Sequence, residues 1–323
     1  MTDVGFKLGE FRVGDRHILG MVLGSSVVDL KSKQALAGGA DRLSPFDSIQ
    51  DLLEDWDRNF ERLSAVAELA RSKSIEPICS LDHDTCKPRP PIKRPSRMLY
   101  AAANYSDHVA NMRRTFSSAL PPPGEQKAAL RPYLFAKVCS QTGALDDIVL
   151  PENIARVDWE AELAVVIGRR GRNISPENVH RFIAGYMTTN DVSCRDLTWR
   201  EDRPSIRSDW ISGKSFDTFA PMGPFMTPKA FVPDHANLSI RLWVNGEIKQ
   251  DGNSRDMTFG IEDQISYAAR MITLEPGDVF ATGTPAGTGQ ERLEFLKAGD
   301  VVEAEVEHCG RLRNRVVAWG TAS

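Results

Sequence analysis

Apolar and polar positions change period twice along this chain. From Phe6 to Leu30, short apolar patches (Phe11 and Val13; Ile18, Gly20 and Val22; Val27, Val28 and Leu30) are punctuated by Gly14-Asp15 and Gly24-Ser25. That pattern predicts short strands joined by turns. From Asp47 to Ala70 the spacing becomes three and four: Ile49, Leu52, Leu53, Trp56, Phe60, Leu63, Val66 and Leu69 predict one or two amphipathic helices. Lys87 to Pro95 is dense in proline, which lacks a backbone donor and restricts its neighbours, so it reads as a linker. A domain boundary near residue 93 follows, with a small strand-and-helix domain over 1–92 and a larger one over 93–323.

The larger part is mostly strand-like. Leu134–Val138, Trp159–Ile167, Leu238–Val244, Val279–Ala281 and Val301–Glu307 read as strands, while Ser106–Phe116, Pro176–Phe182 and Ile261–Ile272 read as helices. The fold class is therefore α+β, mostly β, with mixed sheets and few helices. The strand–helix alternation of a doubly wound dinucleotide fold is missing. Phe116 to Pro132, with Pro121-Pro-Pro-Gly124, reads as an exposed loop or flap.

Forty basic against 44 acidic residues give a net charge of −4, so neither nucleic acid nor an acidic membrane is an expected partner. The first residues lack a signal-peptide pattern and no apolar run is long enough to span a bilayer. Five cysteines at irregular spacing, with no CxxC pair, read as reduced thiols in a cytoplasmic protein.

The chemistry concentrates in Asp158-Trp-Glu-Ala-Glu-Leu-Ala-Val-Val-Ile-Gly168. On a strand, Asp158, Glu160 and Glu162 share one face, while Trp159, Ala161, Leu163 and Val165 turn to a core. Alone, such a triplet reads as a solvated acidic edge. A second acidic cluster, Asn190-Asp191-Val-Ser-Cys-Arg-Asp196, follows the apolar segment Ile183–Met187 and changes that reading. Carboxylate-only sets are hard oxygen donors, suited to Mg²⁺ or Mn²⁺ rather than Zn²⁺. Thr282-Gly-Thr-Pro-Ala-Gly-Thr-Gly289 lacks the Gly-Lys-Ser/Thr of a phosphate-binding loop and by itself is a tight turn.

Glu160-x-Glu162, Asn190-Asp191-Val-Ser-Cys-Arg-Asp196, the stretch from Gly213-Lys214 to Pro224, and Thr282–Gly289 occur in the order found in the fumarylacetoacetate hydrolase family. The resemblance spans about residues 97 to 320, and the N-terminal part resembles the smaller domain of many bacterial members. It implies that Glu160, Glu162 and Asp191 are metal ligands for Mg²⁺ or Mn²⁺, with Asp158 outside that set as a supporting or solvated acid. The family's Asn-Tyr-x-x-His segment matches Asn104 to His108, which makes His108 the candidate general base. The family pairs that histidine with a glutamate three residues on, where this chain has Asn111. An asparagine can orient water but cannot accept a proton. Lys214 is the implied catalytic cation, and Tyr105, Lys137 and Thr284 the implied substrate contacts. Arg203 and Arg207 lie in a charged loop that could meet an anionic substrate.

The implied substrate is a small 2-oxo acid and the implied assembly a homodimer. The leading expectation is an acylpyruvase-like hydrolase that cleaves a C–C bond through an enolate and His108-activated water. The alternative is an isomerase or decarboxylase of 2-oxo dienoic acids from aromatic catabolism, or of oxaloacetate, with Asn111 as its sequence mark. A metal- or metabolite-binding protein without activity is the third possibility.

Overall fold

The computed structural model describes residues 5–43, 46–81, 86–116 and 125–321. Its largest element is an eleven-stranded sheet. At its centre Ala161–Ile167 pairs with Ile183–Asn190 on one side and Val279–Ala281 on the other, both antiparallel. Met98–Ala102 runs parallel to Val279–Ala281 and pairs antiparallel with Tyr133–Lys137. On the opposite flank Met222–Pro228 follows, then Lys7–Val13, Arg16–Leu23, Ser26–Asp29 and Cys79–Ser80. A second sheet orders Glu247–Asn253, Ser239–Val244, Val301–Val306, Gly310–Val317 and Ile148–Val149.

The central strand explains the continuous apolar run in its sequence. Leu163, Val165 and Ile167 belong to the core between the two sheets, with Leu242, Val302, Leu312 and Ile265. Ala164 and Val166 belong to a second core, beneath the helices Ile49–Leu53 and Trp56–Arg71. A strand covered on both faces needs apolar residues at every position, not only at alternate ones. The N-terminal strands extend the same sheet, and Phe6, Leu8, Leu19 and Met21 share the second core with Ala184 and Met187.

The helical spacing of 47–70 resolves into two helices, the first closed by a Ser48–Asp51 capping box. The proline-rich linker is corrected at its start. Cys86–Arg89 is an edge strand on Lys7–Val13, with Pro88 opposite Phe11, a place where a missing donor costs no ladder bond. Pro176–Arg181 is a 3₁₀ helix. Several strands lacked a sequence signal, among them Met222–Pro228, which carries two prolines, Glu247–Asn253, which is mostly polar, and Gly310–Val317, which alternates arginine with buried residues. The expected loop over 116–132 contains a short helix, Gln126–Ala129, and its part over 117–124 lies outside the described residues. No helix among the described residues is long and apolar enough to cross a membrane.

Close backbone approach at Gly185 fixes the spacing of the central strands. A Cβ there would lie 2.4 Å from the Thr227 carbonyl oxygen, and a backbone atom inside a sheet cannot move aside cheaply. Gly185→Ala is expected to cost about 1–3 kcal/mol and to lower Tm by several degrees in a thermal melt. An unchanged Tm would contradict this account of the packing.

Candidate metal centre and active-site cavity

Strand register builds the site. Ala161 faces Asn190 and Glu162 faces Thr189, so the start of one strand lies beside the end of its neighbour. The Asp191 N–H donates to the Glu160 carbonyl at 2.8 Å, and the Glu160 N–H to Asn190 Oδ1 at 2.9 Å. Carboxylate oxygens of Glu160, Glu162 and Asp191 thereby come within 4.8 Å of one another, all three residues buried. Asp158 is also buried, so the solvated alternative does not apply. It accepts from the backbone N–H groups of Gly289 and Gln290 at 2.6 and 2.9 Å and pairs with Arg195 at 2.7 Å.

Cations crowd this cluster. Lys214 Nζ lies 2.7 Å from Glu160 Oε2 and 2.6 Å from Asp191 Oδ2. Its helix, Trp210–Lys214, is capped by Asp209 and packs so tightly that a Cβ at Gly213 would meet Thr198 Oγ1 at 2.3 Å, which explains the glycine before the lysine. Arg195 bridges Asp158 and Glu160. Lys137 departs from its expected role as a substrate contact. All three of its ammonium protons are engaged, with Asp191 Oδ1 at 2.7 Å, the Val192 carbonyl at 3.1 Å and the Phe219 carbonyl at 2.5 Å. It is buried away from the cavity and holds Asp191 in place.

Four carboxylates (Asp158, Glu160, Glu162, Asp191) face three cations (Lys137, Lys214, Arg195), which leaves one negative charge over. Burial opposes ionisation of Glu160, yet Lys214 and Arg195 outweigh it and hold its carboxyl far below the usual range. Glu162 takes the surplus: burial, then the charges of Asp191 and Glu160, push its carboxyl well above the usual range. Its Oε2 accepts from the Gly283 N–H at 2.8 Å, while its buried Oε1 has no hydrogen-bond partner among the described residues. An oxygen-only set with an unsatisfied buried oxygen and excess negative charge fits a hard divalent cation such as Mg²⁺ or Mn²⁺.

The cluster opens into a cavity of about 380 Å³ with His108, Glu160, Arg195, Lys214 and Thr284 among its polar lining. Val109, Phe135, Trp210 and Phe259 supply apolar wall, with Phe135 and Trp210 stacked at 4.7 Å. Asn104 fixes the segment that delivers His108. Its amide donates to the Phe259 and Thr282 carbonyls at 3.0 and 2.8 Å and accepts from the Phe259 N–H at 2.9 Å. Tyr105, expected at the substrate, is instead fully buried in the core beneath. Thr284 lines the cavity, but its hydroxyl donates to the Ala161 carbonyl and accepts from Gln250 Nε2 at 2.8 Å. Gln250 Oε1 in turn accepts from the Ala161 N–H at 2.9 Å, which ties the second sheet to the floor of the site. Arg203 and Arg207 do not line the cavity.

The carboxylate missing at position 111 comes from elsewhere. Glu291 Oε1 pairs with His108 Nδ1, and Asn111 donates to Glu291 Oε2 at 2.7 Å. Burial opposes the charge on Glu291, but bonds from His108, Asn111 and the Gly287 N–H prevail and hold its carboxyl below the usual range. Sequence reasoning missed Glu291 and Arg195, although each stands within or two residues beyond a recognised motif. A larger, more open cleft of about 540 Å³ lies against Asn111 and Glu291. The acidic triad, Lys214 and Arg195 are not part of that cleft's wall, so the chemistry belongs to the smaller cavity.

Glu162→Gln removes the surplus charge while keeping shape. The metal-free variant is expected to melt higher than the unsubstituted chain and to lose the Tm rise on adding Mn²⁺. A variant with a full metal-dependent shift would remove Glu162 from the ligand set.

A model of the fumarylacetoacetate (FAA) hydrolase C-terminal region matches residues 97–317. Human oxaloacetate tautomerase FAHD2A, mitochondrial, is 35% identical over 314 residues, 96% of this chain and 91% of the relative. The Xenopus laevis oxaloacetate tautomerase fahd2, mitochondrial, is 41% identical over 230 residues, 70% of this chain and 67% of the relative. Among solved structures, the maleylpyruvate hydrolase of Sphingobium sp. SYK-6 in complex with manganese(II) and pyruvate superposes with a TM-score of 0.70. It is 26% identical, over 97% of this chain and 99% of that one. With the motifs on one cavity and the match spanning that whole region, the chain belongs to the fumarylacetoacetate hydrolase family.

Proposed function

We propose that this enzyme moves a proton at the carbon beside the ketone of a small 2-oxo acid, as a keto–enol tautomerase of oxaloacetate-type acids. The observation that carries this reading is a carboxylate-backed imidazole in the wall of the cavity that opens onto the acidic triad. The tautomerase relatives support it.

Glu160, Glu162 and Asp191 would hold a divalent cation, which would supply a Lewis acid for the ketone of a 2-oxo acid and offset enolate charge. Glu291 accepts the Nδ1 proton of His108, which sets the tautomer and leaves Nε2 as the base. Nε2 withdraws a proton from the carbon beside the ketone, and the proton returns to the enolate oxygen. Lys214 gives two of its three N–H bonds to Glu160 and Asp191, leaving the third for that oxygen.

Hydrolysis of an acylpyruvate is the second reading, favoured by the same pair. Glu291 supplies the carboxylate that Asn111 lacks, so His108 Nε2 is equipped to take a proton from water as well as from carbon. Asn111 therefore loses its value as a mark against hydrolysis.

The discriminating assay follows enol-oxaloacetate by absorbance and acetylpyruvate and maleylpyruvate by product analysis, with Mg²⁺ or Mn²⁺ present. Accelerated ketonisation above the metal-only control is the expected result. Pyruvate released together with a second acid would replace this reading with the hydrolase, and CO₂ release with a decarboxylase. Glu291→Gln is expected to lower kcat roughly 10²-fold. The double variant Asn111→Glu/Glu291→Gln moves the carboxylate one helical turn from His108 and should recover much of the loss. Full activity in Glu291→Gln alone would show that the imidazole works without its partner.

A further inference from the structure

Two of the cations in the cavity wall are spoken for: Lys214 by Glu160 and Asp191, Arg195 by Asp158 and Glu160. Arg131 also lines the cavity, is exposed, and has no carboxylate partner among the described residues. Its position is fixed by a tethered segment. The buried Gln126 side chain accepts from Thr258 Oγ1 at 3.1 Å, Lys127 Nζ pairs with Asp263 Oδ2 at 2.6 Å, and the Leu130 N–H donates to the Gln126 carbonyl at 2.8 Å. Arg131 follows directly on this anchored turn and stands between the apolar walls and solvent.

An anionic floor that binds a metal-chelating acid, an apolar middle and one uncompensated guanidinium form a graded binding site. The guanidinium's planar fork matches a carboxylate and can pair with it bidentately. A substrate ending in a methyl group leaves Arg131 to solvent and gains nothing from it. We propose that Arg131 is the specificity residue of this site, reading the distal carboxylate of a 2-oxo dicarboxylic acid. The proposal rests on the reading of the site as one for 2-oxo acids and adds which members of that class it selects.

The test compares pairs that differ only by carboxylate against methyl: oxaloacetate with 2-oxobutanoate, and 2-oxoglutarate with 2-oxopentanoate. Dissociation constants are measured calorimetrically with Mg²⁺ present, for the unsubstituted chain, Arg131→Gln and Arg131→Lys. The unsubstituted chain is expected to favour each diacid roughly tenfold or more. Arg131→Gln should erase that preference, and Arg131→Lys should keep part of it through charge without the fork. A preference in Arg131→Gln within about twofold of the original overturns the proposal, as does an unsubstituted chain that binds both members of a pair equally or binds neither. Binding is read apart from turnover. A chain that selects diacids through Arg131 but does not ketonise oxaloacetate would overturn the tautomerase reading and leave Arg131 in its role.

Discussion

The antiparallel pairing of Ala161–Ile167 with Ile183–Asn190 brings Glu160, Glu162 and Asp191 within 4.8 Å, and like charges so close must be compensated or neutralised. Much of the surrounding structure answers that demand. Lys137 spends its whole donor set on Asp191 and two carbonyls, Arg195 bridges Asp158 and Glu160, and Lys214 bridges Glu160 and Asp191. Compensation stops one charge short, and the deficit falls on Glu162, which keeps one buried oxygen unsatisfied. Breaking any of these buried pairs by removing one member would leave a stranded charge, which is far more costly than never having built the pair. Stability of the fold and readiness for a metal are therefore set by the same residues.

Strand alternation, which is strictly local, put Asp158, Glu160 and Glu162 on one face; the family resemblance, not periodicity, picked Glu160, Glu162 and Asp191 out of the two acidic clusters. The second cluster, with Asp191, follows the apolar segment Ile183–Met187. Local pattern also made the helices of 47–70 and the strand at Val279–Ala281 legible. Features that depend on distant partners were not. Glu291 stands 183 residues from His108, and no periodicity links them. Lys137 and Tyr105 lie inside the expected motifs, but only tertiary packing decides whether such a side chain faces a cavity or its supporting core. Met222–Pro228 escaped detection because its prolines oppose strand propensity, and the sheet overrode them.

His108 and its partner show how one side chain can stand in for another from a different part of the chain. A helix that carried both imidazole and carboxylate would hold them at a fixed i, i+3 offset. Here the carboxylate arrives from Gly289–Arg292, and Asn111 serves as a donor that orients it. The imidazole–carboxylate pair thus spans two segments, the Asn104-anchored helix and Gly289–Arg292, and requires both to be docked.

The Gln250 side chain joins the second sheet to Ala161, Thr284 and the Pro285 carbonyl. Floor and second sheet are thereby tied together. The rim is built otherwise, from the short helix Gln126–Ala129 and the residues that follow it, hung on Thr258 and Asp263 by a few side-chain bonds. Such a division makes the molecule modular. Its acidic end is built into the sheets, while the opposite rim hangs on one short segment, which is where an engineer seeking to reshape the cavity would cut.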